Sequence, residues 1–310
     1  MTTDIRPFGP EAMARAGGLV GEGQPVAVPT ETVYGLAADA RNAEAVARIY
    51  AAKGRPDFNP LIVHVPDLAA AETLGVFGAV ERALAARFWP GPLTLVVPRT
   101  ADCPVASIAT AGLDTIAIRV PGHRAMQALL AESGAPLAAP SANASGRVSP
   151  TKASHVLASL DGRIALVIDD GPTTAGVEST IARVQDGAVE VLRPGPVTSE
   201  MLADASGLTV AGVKGSEIVA PGMLASHYAP GKPVRLGASE FADDEFGIGF
   251  GAVAGDYDLS AAGDLTEAAA RLFDALHAGA ASAKAKIAVA AIPVEGLGAA
   301  INDRLARAAV

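Results

Sequence analysis

The chain has 310 residues, of which 50% are hydrophobic but only 4% aromatic, and a formal net charge of −9. An acidic balance argues against extended nucleic-acid binding, which normally needs a broad basic face. No stretch is long and apolar enough to span a bilayer, so we expect no membrane partner. Residues 1–10 lack the apolar core of a secretion signal, and we expect a cytoplasmic protein. The single cysteine excludes an intramolecular disulfide and a cysteine-rich metal site.

The first two thirds of the chain alternate apolar strands with alanine-rich helical stretches. The expected strands are Pro25–Val28, Leu61–Val65, Leu93–Val97, Thr115–Val120, Pro136–Ala139 and Ala165–Ile168. The expected helices are Ala43–Ala52, Glu81–Phe88, Arg124–Ser133 and Pro150–Leu160. Two further strands, Thr180–Val184 and Val189–Leu192, are separated by a short turn that predicts a hairpin. The pattern predicts a mixed sheet flanked by helices.

The alternation of strands and helices becomes irregular after Met201, and we predict that a smaller α/β unit begins at Pro233. Pro-Gly pairs at 221–222 and 230–231 bracket a segment that is typical of a linker. The clearest later element is the helix Leu265–His277, with Asp264 as its N-cap. A strand, Ile287–Ile292, and a closing helix, Ile301–Ala308, follow. We predict one domain over residues 1–205, a linker that covers the active site over 206–232, and a small C-terminal domain over 233–310.

Two polar strings carry the most informative chemistry. Lys53-Gly54-Arg55-Pro56 follows an expected helix, and we place its two cations on a solvent-facing loop. Pro140–Gly146 follows an apolar strand and offers hydroxyls, an amide and backbone N–H groups. Together they are the ingredients of an anion pocket for the phosphates of a nucleotide. Cations near a helix C-terminus also complement its dipole, so the first string alone does not establish a function.

Three polar residues next to these strings have competing interpretations. Arg119 lies in an apolar strand, where a buried charge needs either a protein carboxylate or a bound one as its partner. His64 on an expected strand is either a structural residue or part of a site. Ser149, followed by Pro150, is a natural helix N-cap. No G-x-x-x-x-G-K-[ST] loop is present, so a P-loop is excluded.

With these residues described, the chain resembles the threonylcarbamoyl-AMP synthase family, which is YrdC-like, in its long two-domain form. The matching strings run in order along nearly the whole chain. They are Pro29–Leu36, Lys53–Pro56, Asn59–His64, Trp89–Thr94, Ile118–Pro121, Pro140–Asn143, Gly176–Thr180, Leu192–Gly195, Pro221–Met223 and His227–Pro230. The resemblance implies a twisted mixed sheet flanked by helices, followed by a smaller Rossmann-like α/β domain.

The same resemblance implies a nucleotidyltransferase that joins L-threonine, bicarbonate or CO2, and ATP into threonylcarbamoyl-AMP and pyrophosphate. Mg²⁺ is implied as a companion of ATP, and no metal ligand is assigned to the protein. The product would pass to a separate threonylcarbamoyl transferase complex that modifies an adenosine of tRNA.

Residue by residue, the resemblance implies two halves of one pocket. L-threonine would contact Thr32, His64, Arg119 and Ser179, with Ala139 contributing through its backbone. ATP would contact Arg55, Asn59, Thr115, Ser141, Asn143, Ser149, Arg193 and Tyr228. Lys53 and Arg55 are the implied catalytic residues, because they would offset charge on the phosphates. Arg119 would bind the carboxylate of threonine.

Three other functions remain as alternatives. An RNA-binding or ribosome-maturation protein disagrees with the acidic balance and with the lack of basic stripes interleaved with aromatic residues. A carbamoyl-transfer module of the hydrogenase-maturation kind disagrees with the single cysteine, which cannot build zinc fingers. A non-catalytic sensor of threonine or nucleotide would keep Arg119 and Ser179 while tolerating the loss of Lys53 or Arg55.

Overall fold

The computed structural model describes residues 2–56, 59–212 and 227–309 of the chain. Its first unit contains the strands β1 Asp4–Pro7, β2 Val26–Pro29, β3 Tyr34–Asp39, β4 Ile62–His64, β5 Leu93–Pro98, β6 Thr115–Arg119, β7 Leu137–Ala138, β8 Leu166–Asp169, β9 Thr180–Gln185, β10 Ala188–Arg193 and β11 Val210–Gly212. Its helices are α1 Pro10–Gly21, α2 Ala43–Lys53, α3 Leu68–Leu74, α4 Ala79–Phe88, α5 Arg124–Ser133, α6 Ala153–Leu160 and α7 Ser199–Ser206. A 3-10 turn spans Ser107–Thr110.

These strands form one mixed sheet in the order β1-β8-β2-β3-β7-β4-β6-β5-β9-β10-β11. Strands β4 and β6 are parallel, and their register sets His64 opposite Arg119. Strands β9 and β10 pair antiparallel, which confirms the predicted hairpin. The predicted mixed α/β fold is therefore confirmed, and the sheet register brings two candidate site residues together.

Helices cover both faces of this sheet, because alternate residues of a strand point to opposite sides. Along β2, Ala27 belongs to the cluster that includes α2, α4, α6 and α7. Its neighbours Val26 and Val28 belong to the opposite cluster, which includes α1 and α5. Burial of these two apolar layers is the main stabilising contribution to the unit.

The second unit is a smaller parallel sheet with two helices. Its strands are β12 Val234–Ala238, β13 Glu245–Gly249, β14 Tyr257–Asp258 and β15 Lys286–Ala290, in the order β12-β15-β13-β14, and its helices are α8 Leu265–Ala281 and α9 Leu297–Ala308. Asp264 caps α8, as predicted, by accepting a hydrogen bond from the Glu267 N–H at 2.8 Å. The hydrophobic cluster of this unit also contains Val33, Val148 and Val177 of the first unit, so the two units share a core.

The structure corrects one predicted helix and adds several elements. The helix predicted from Pro150 begins at Ala153 with Lys152 at its N-cap, so Ser149 is not a cap. The helices α1, α3 and α7 and the strands β1, β3 and β11, together with β12, β13 and β14 of the second unit, were not predicted. No helix within the described residues is long and apolar enough to cross a membrane. The domain limits at residues 205 and 233 stay a prediction, and much of the predicted linker lies outside the described residues.

Candidate active site

A cavity of about 580 Å³, counting the space at its mouth, lies where several strands of the large sheet end. His64 and Arg119 are the last residues of β4 and β6, and Arg193 is the last residue of β10. Ser179 directly precedes β9. The cavity is lined by Thr30, Thr32, Val33, Gly35, Arg55, Leu61, Ile62, His64, Arg119, Ala139, Pro140, Ser141, Glu178, Ser179, Arg193, His227 and Tyr228. A concave site with several converging polar groups is typical of small-molecule binding.

Arg119 is 3% exposed and has a protein carboxylate as its partner. One of its terminal nitrogens donates to Glu31 at 2.6 Å, and the other donates to Thr32 Oγ1 at 2.9 Å. Burial alone would raise the pKa of Glu31, but the Arg119 guanidinium lowers it, so the pair is ionic. The structure therefore explains this buried charge by a carboxylate that the sequence reasoning did not identify. Because a guanidinium has more N–H donors than these contacts use, Arg119 can also bind a ligand.

His64 lies beside Arg119 and is neutral. Burial, together with the positive charge of Arg119, lowers the pKa of His64 to about 3. Its Nδ1 atom is buried and has no hydrogen-bond partner among the described residues. A neutral imidazole with an unpaired nitrogen can donate to or accept from a ligand at this end of the sheet.

Ser179 and Arg193 lie together in the lining of the cavity. The Arg193 guanidinium donates to the Ser179 carbonyl at 2.9 Å and to Ser179 Oγ at 3.1 Å. Burial lowers the pKa of Arg193 to about 10, so it remains a cation at neutral pH. Gly195 permits this close approach, because a Cβ there would lie 2.4 Å from the Thr180 nitrogen.

Lys53 corrects the prediction of two cations on a solvent-facing loop. It is the last residue of α2 and only 3% exposed, and its Nζ donates to the carbonyls of Ser141 and Asn143 at 2.5 Å each. Burial and the nearby Arg55 hold its pKa well below the usual range. Lys53 thus binds the loop Pro140–Gly146 through two backbone carbonyls and does not itself line the cavity.

Arg55 behaves as predicted in one respect, because it lines the cavity. Its guanidinium donates to the Pro60 carbonyl at 3.1 Å. Gly54, which precedes it, adopts a left-handed conformation with φ of 58° and ends the helix, as the sequence predicts. Burial lowers the pKa of Arg55 to about 10.

Several buried polar atoms around the cavity lack hydrogen-bond partners within the described ranges. They are both side-chain polar atoms of Asn59, Oδ1 of Asn143, and Nδ1 of His64 and of His227. An unpaired buried polar group costs about 1–3 kcal/mol. Native proteins rarely leave such groups unpaired, and their concentration here indicates a site that a polar ligand completes.

Tyr228 lines the cavity and holds an unusual backbone conformation. Its φ is +64°, a conformation that costs free energy in a residue with a bulky side chain. The side chain is 1% exposed, and its ring stacks on Phe273 of α8 at 5.3 Å between centroids. The His227 ring contacts the Tyr228 ring edge-on, with 4.2 Å between centroids. Strain of this kind is typical of functional sites, where the surrounding structure compensates for it.

The structure brings most of the predicted site residues together. Nine of them line the cavity: Thr32, Arg55, His64, Arg119, Ala139, Ser141, Ser179, Arg193 and Tyr228. Lys53 and Asn143 are joined to its loop, and Ser149 donates to Glu178 at 2.5 Å. Thr115 lies at the start of β6, four positions before Arg119, and does not line the cavity. Its role stays a prediction.

Sequence reasoning missed three polar residues of the site as separate candidates: Glu31, Glu178 and His227. Glu31 and Glu178 lie inside the strings that carried the family resemblance, so their position was a usable signal. Over residues 2–56, 59–212 and 227–309, no group of three or more His, Cys, Asp or Glu side chains is arranged to hold a metal ion.

The fold and cavity define an α/β protein with a polar pocket lined by Arg55, Arg119 and Arg193. The Sua5/YciO/YrdC family model, described as telomere recombination, matches residues 19–195. A model described as the threonylcarbamoyl-AMP synthase C-terminal domain matches residues 197–310. The chain therefore belongs to the threonylcarbamoyl-AMP synthase family, in its form with the C-terminal domain, which confirms the resemblance and the prediction of a nucleotidyltransferase-type enzyme.

Individual relatives agree with this assignment. The chain is 42% identical to threonylcarbamoyl-AMP synthase of Bacillus subtilis, over 96% of this chain and 92% of that protein. It is 45% identical to the enzyme of that name from Pyrococcus abyssi, over 71% of this chain and 66% of that protein. A crystal structure of Pyrococcus abyssi Sua5 complexed with L-threonine superposes with a TM-score of 0.89 at 36% identity, covering 100% of this chain and 98% of that one.

Proposed function

We propose that this chain condenses L-threonine, bicarbonate or CO2, and ATP into threonylcarbamoyl-AMP, with release of pyrophosphate. The observation that carries the proposal is the convergence of Arg55, Arg119 and Arg193 on one cavity whose rim holds unpaired buried polar atoms. Cations placed in a buried site interact strongly with carboxylate and phosphate oxygens. The cavity is therefore suited to substrates that carry several negative charges.

The threonine end of the pocket is the wall formed by β4, β6 and the segment before β9. Arg119 would bind the carboxylate of threonine through the N–H groups that Glu31 and Thr32 leave free. His64 and Ser179 also line the cavity and would orient the amine and the hydroxyl. The Ala139 N–H donates to the Ile62 carbonyl at 3.0 Å, so the Ala139 carbonyl, just after β7, is the group that would face threonine. The remaining Ala139 acceptor would complete the subsite.

The ATP end of the pocket is formed by the loop Pro140–Gly146, to which Lys53 is hydrogen-bonded. Ser141 and Arg55 face the cavity, and Asn143 and Asn59 carry the unpaired amide atoms beside it. Arg193 adds a further cation to the lining of the cavity. This arrangement supports binding of the phosphates, where Arg55 and Arg193 would offset charge that develops on them.

Mg²⁺ would enter with ATP and be held by its phosphates. Glu178 is the acidic side chain in the described lining of the cavity, and both of its oxygens are engaged by Ser149 and Arg304. A metal that keeps several waters and substrate phosphates as ligands needs few protein groups. When bound, it would neutralise phosphate charge.

In the proposed reaction, the amine of threonine adds to CO2 and loses a proton, giving a carbamate. A carbamate oxygen then bonds to the α-phosphorus of ATP, and the bond to pyrophosphate breaks. His64 is a poor general base, because its pKa is about 3. Catalysis would therefore rest on positioning and electrostatics. Tyr228, which lines the pocket, would exclude water from the labile carbamate.

The product would be consumed by a separate transferase that modifies tRNA, because an acyl-type adenylate is a reactive donor. The transfer partner, and the cytoplasmic location that the sequence predicts, are part of this proposal.

Pyrophosphate release by the purified chain tests the proposal. The reaction would contain ATP, Mg²⁺, L-threonine and bicarbonate, and each component would be left out in turn. We expect release that requires both threonine and bicarbonate. Release that needs threonine but persists after dissolved CO2 is removed would indicate simple aminoacyl adenylation. Binding of ATP and threonine without release would favour a sensor.

A further inference from the structure

Arg304 connects the second unit to the wall of the active site. It lies on α9, and its side chain is 0% exposed. Its Nε donates to Glu178 Oε2 at 2.9 Å, and one terminal nitrogen donates to the Pro194 carbonyl at 2.9 Å. The same nitrogen pairs with Asp303 at 2.8 Å. The guanidinium is therefore fixed by contacts on both sides of the boundary between the two units.

Arg304 contacts residues that line the cavity or are next to residues of its proposed ATP end. Glu178 uses its other oxygen to accept a hydrogen bond from Ser149 at 2.5 Å. Pro194 directly follows Arg193, which lines the cavity. The Arg304 guanidinium also lies 5.6 Å from the centre of the Tyr228 ring. Ser149, Arg193 and Tyr228 all belong to the proposed ATP end.

The buried ion pair between Arg304 and Glu178 is expected to contribute little net stability to the contact between the two units. A buried ion pair contributes little more than well-packed apolar residues of the same volume would, because both charges must leave water. Removing one partner is costly, since the other is left buried and unpaired. An arrangement of this kind fixes geometry at the wall of a pocket better than an apolar contact does, because hydrogen bonds are directional.

We propose that Arg304 is a positioning residue of the reaction, through which the C-terminal unit sets Glu178, Tyr228 and the Arg193 segment for ATP binding. The inference rests on the proposed function. It assigns the second unit a part in the active site, beyond its shared hydrophobic core. Arg304 does not line the cavity, so it acts through the residues that it holds.

A purely structural role and a positioning role predict different kinetics. Within the described residues, the Arg304 side chain makes no hydrogen bond to Thr32, His64, Arg119 or Ser179 at the threonine end, although Ser179 directly follows Glu178. If Arg304 is a positioning residue, its replacement should therefore raise the KM for ATP more than the KM for threonine. A loss of general stability should disturb both substrate requirements together.

The test compares Arg304→Gln, Arg304→Lys and a control, Arg271→Gln, in the full chain. Arg271 lies on α8, pairs with Glu267 on the surface and stacks on Tyr257, so its replacement removes the same charge away from the pocket. Pyrophosphate release would be measured against ATP and against threonine separately. We expect Arg304→Gln to raise the KM for ATP about 10-fold or more, with the threonine KM within about 2-fold of wild type.

The second variant keeps the test decisive if Arg304→Gln does not fold. Lysine retains the charge but cannot reach both Glu178 and Pro194, so Arg304→Lys should show a smaller rise in the ATP KM, about 3-fold. Glu178→Gln should show the same ATP-selective defect. Combining it with Arg304→Gln should add little, because both changes act through one contact. Arg271→Gln should match wild type.

Two results would overturn the inference while leaving the proposed function intact. One is a wild-type ATP requirement in folded Arg304→Gln or in Arg304→Lys. The other is an equal rise of both KM values together with a lower melting temperature in both variants. Failure of the proposed function is separate, because wild-type protein would then release no pyrophosphate. In that case, unweakened ATP binding by Arg304→Gln in calorimetry would still overturn the inference.

Discussion

The two units of the protein use positive charge differently. In the described residues, the buried basic side chains are Lys53, Arg119 and Arg193 in the first unit and Arg304 in the second. All four border the active-site cavity or hold a residue that does. Elsewhere in the second unit, cations such as Arg235, Arg271 and Lys286 pair near the surface. Since burying a charge is expensive, the contrast indicates that buried cations are kept where substrate binding uses them.

The largest expected effect follows from removing the cation at the threonine end. Arg119→Ala should raise the threonine requirement about 100-fold and lower the free energy of unfolding by about 3–5 kcal/mol, because Glu31 is left buried without its partner. Threonine-dependent pyrophosphate release and chemical denaturation measure the two effects. Arg124→Ala is the matched control, because that side chain is 71% exposed and pairs with Asp170 outside the cavity. An unaltered threonine dependence would remove Arg119 from the subsite.

The next comparison separates the two cations of the Lys53-Gly54-Arg55 string. Lys53→Met should abolish most turnover and lower the free energy of unfolding by about 2–4 kcal/mol, because the Ser141 and Asn143 carbonyls lose their donor. Arg55→Ala should lower turnover about 100-fold with a change in unfolding free energy below about 1 kcal/mol, because Arg55 is only partly buried and lines the cavity. Equal destabilisation by both would contradict the distinction between a residue that holds the loop and one that binds substrate.

A smaller effect concerns the boundary between the units, where His155 of α6 stacks on His277 of α8 at 3.8 Å. Burial and His277 lower the pKa of His155 from 6.5 to about 4, despite the nearby Asp274. The unfolded chain binds this proton at a higher pH than the folded one does. The stability that neutral His155 contributes above pH 6.5 is therefore lost as the pH falls from 6.5 to about 4.

The facing groups in this prediction are Asp274, Lys152 and His277, with Tyr257 hydrogen-bonded to Asp274. His155→Gln should reduce the fall in unfolding free energy between about pH 7.5 and pH 4.5 by about 1–3 kcal/mol. Urea denaturation at several pH values measures it. A wild-type pH dependence in the variant would show that His155 is not the group that titrates.

The smallest expected effect tests a lysine with the same bonding pattern as Lys53 but away from the cavity. Lys232 donates to the carbonyls of Gly279 and Ser282, at the end of α8. Lys232→Met should lower the free energy of unfolding by about 1 kcal/mol and leave both substrate requirements unchanged. A loss of activity comparable to that of Lys53→Met would contradict the idea that only the cations at the cavity serve the reaction.

Elements whose signals are local could be predicted from the sequence. Helix α5 has the predicted bounds Arg124–Ser133, because an amphipathic segment ends at Gly134 in a left-handed cap. The hairpin of β9 and β10 was predictable from its short turn. The family strings located most of the cavity, because each string contributes a strand end or the loop that follows it.

The partners of the site residues could not be predicted, because they are long-range. Lys53 reaches Ser141 across 88 positions, and Arg119 reaches Glu31 across the same separation. The helix-capping signal at Ser149 was misleading, since Glu178 of a distant segment takes its hydroxyl instead. The contacts of Arg304 could not be predicted from the sequence of its helix, because they depend on how the second unit packs against the first.

The most direct test of the central claim is mass spectrometry of the nucleotide product made with isotope-labelled bicarbonate. We expect threonylcarbamoyl-AMP whose mass carries the label, formed only when threonine, bicarbonate and ATP are all present. An unlabelled threonyl adenylate, or no adenylate in the presence of folded protein and all substrates, would contradict it.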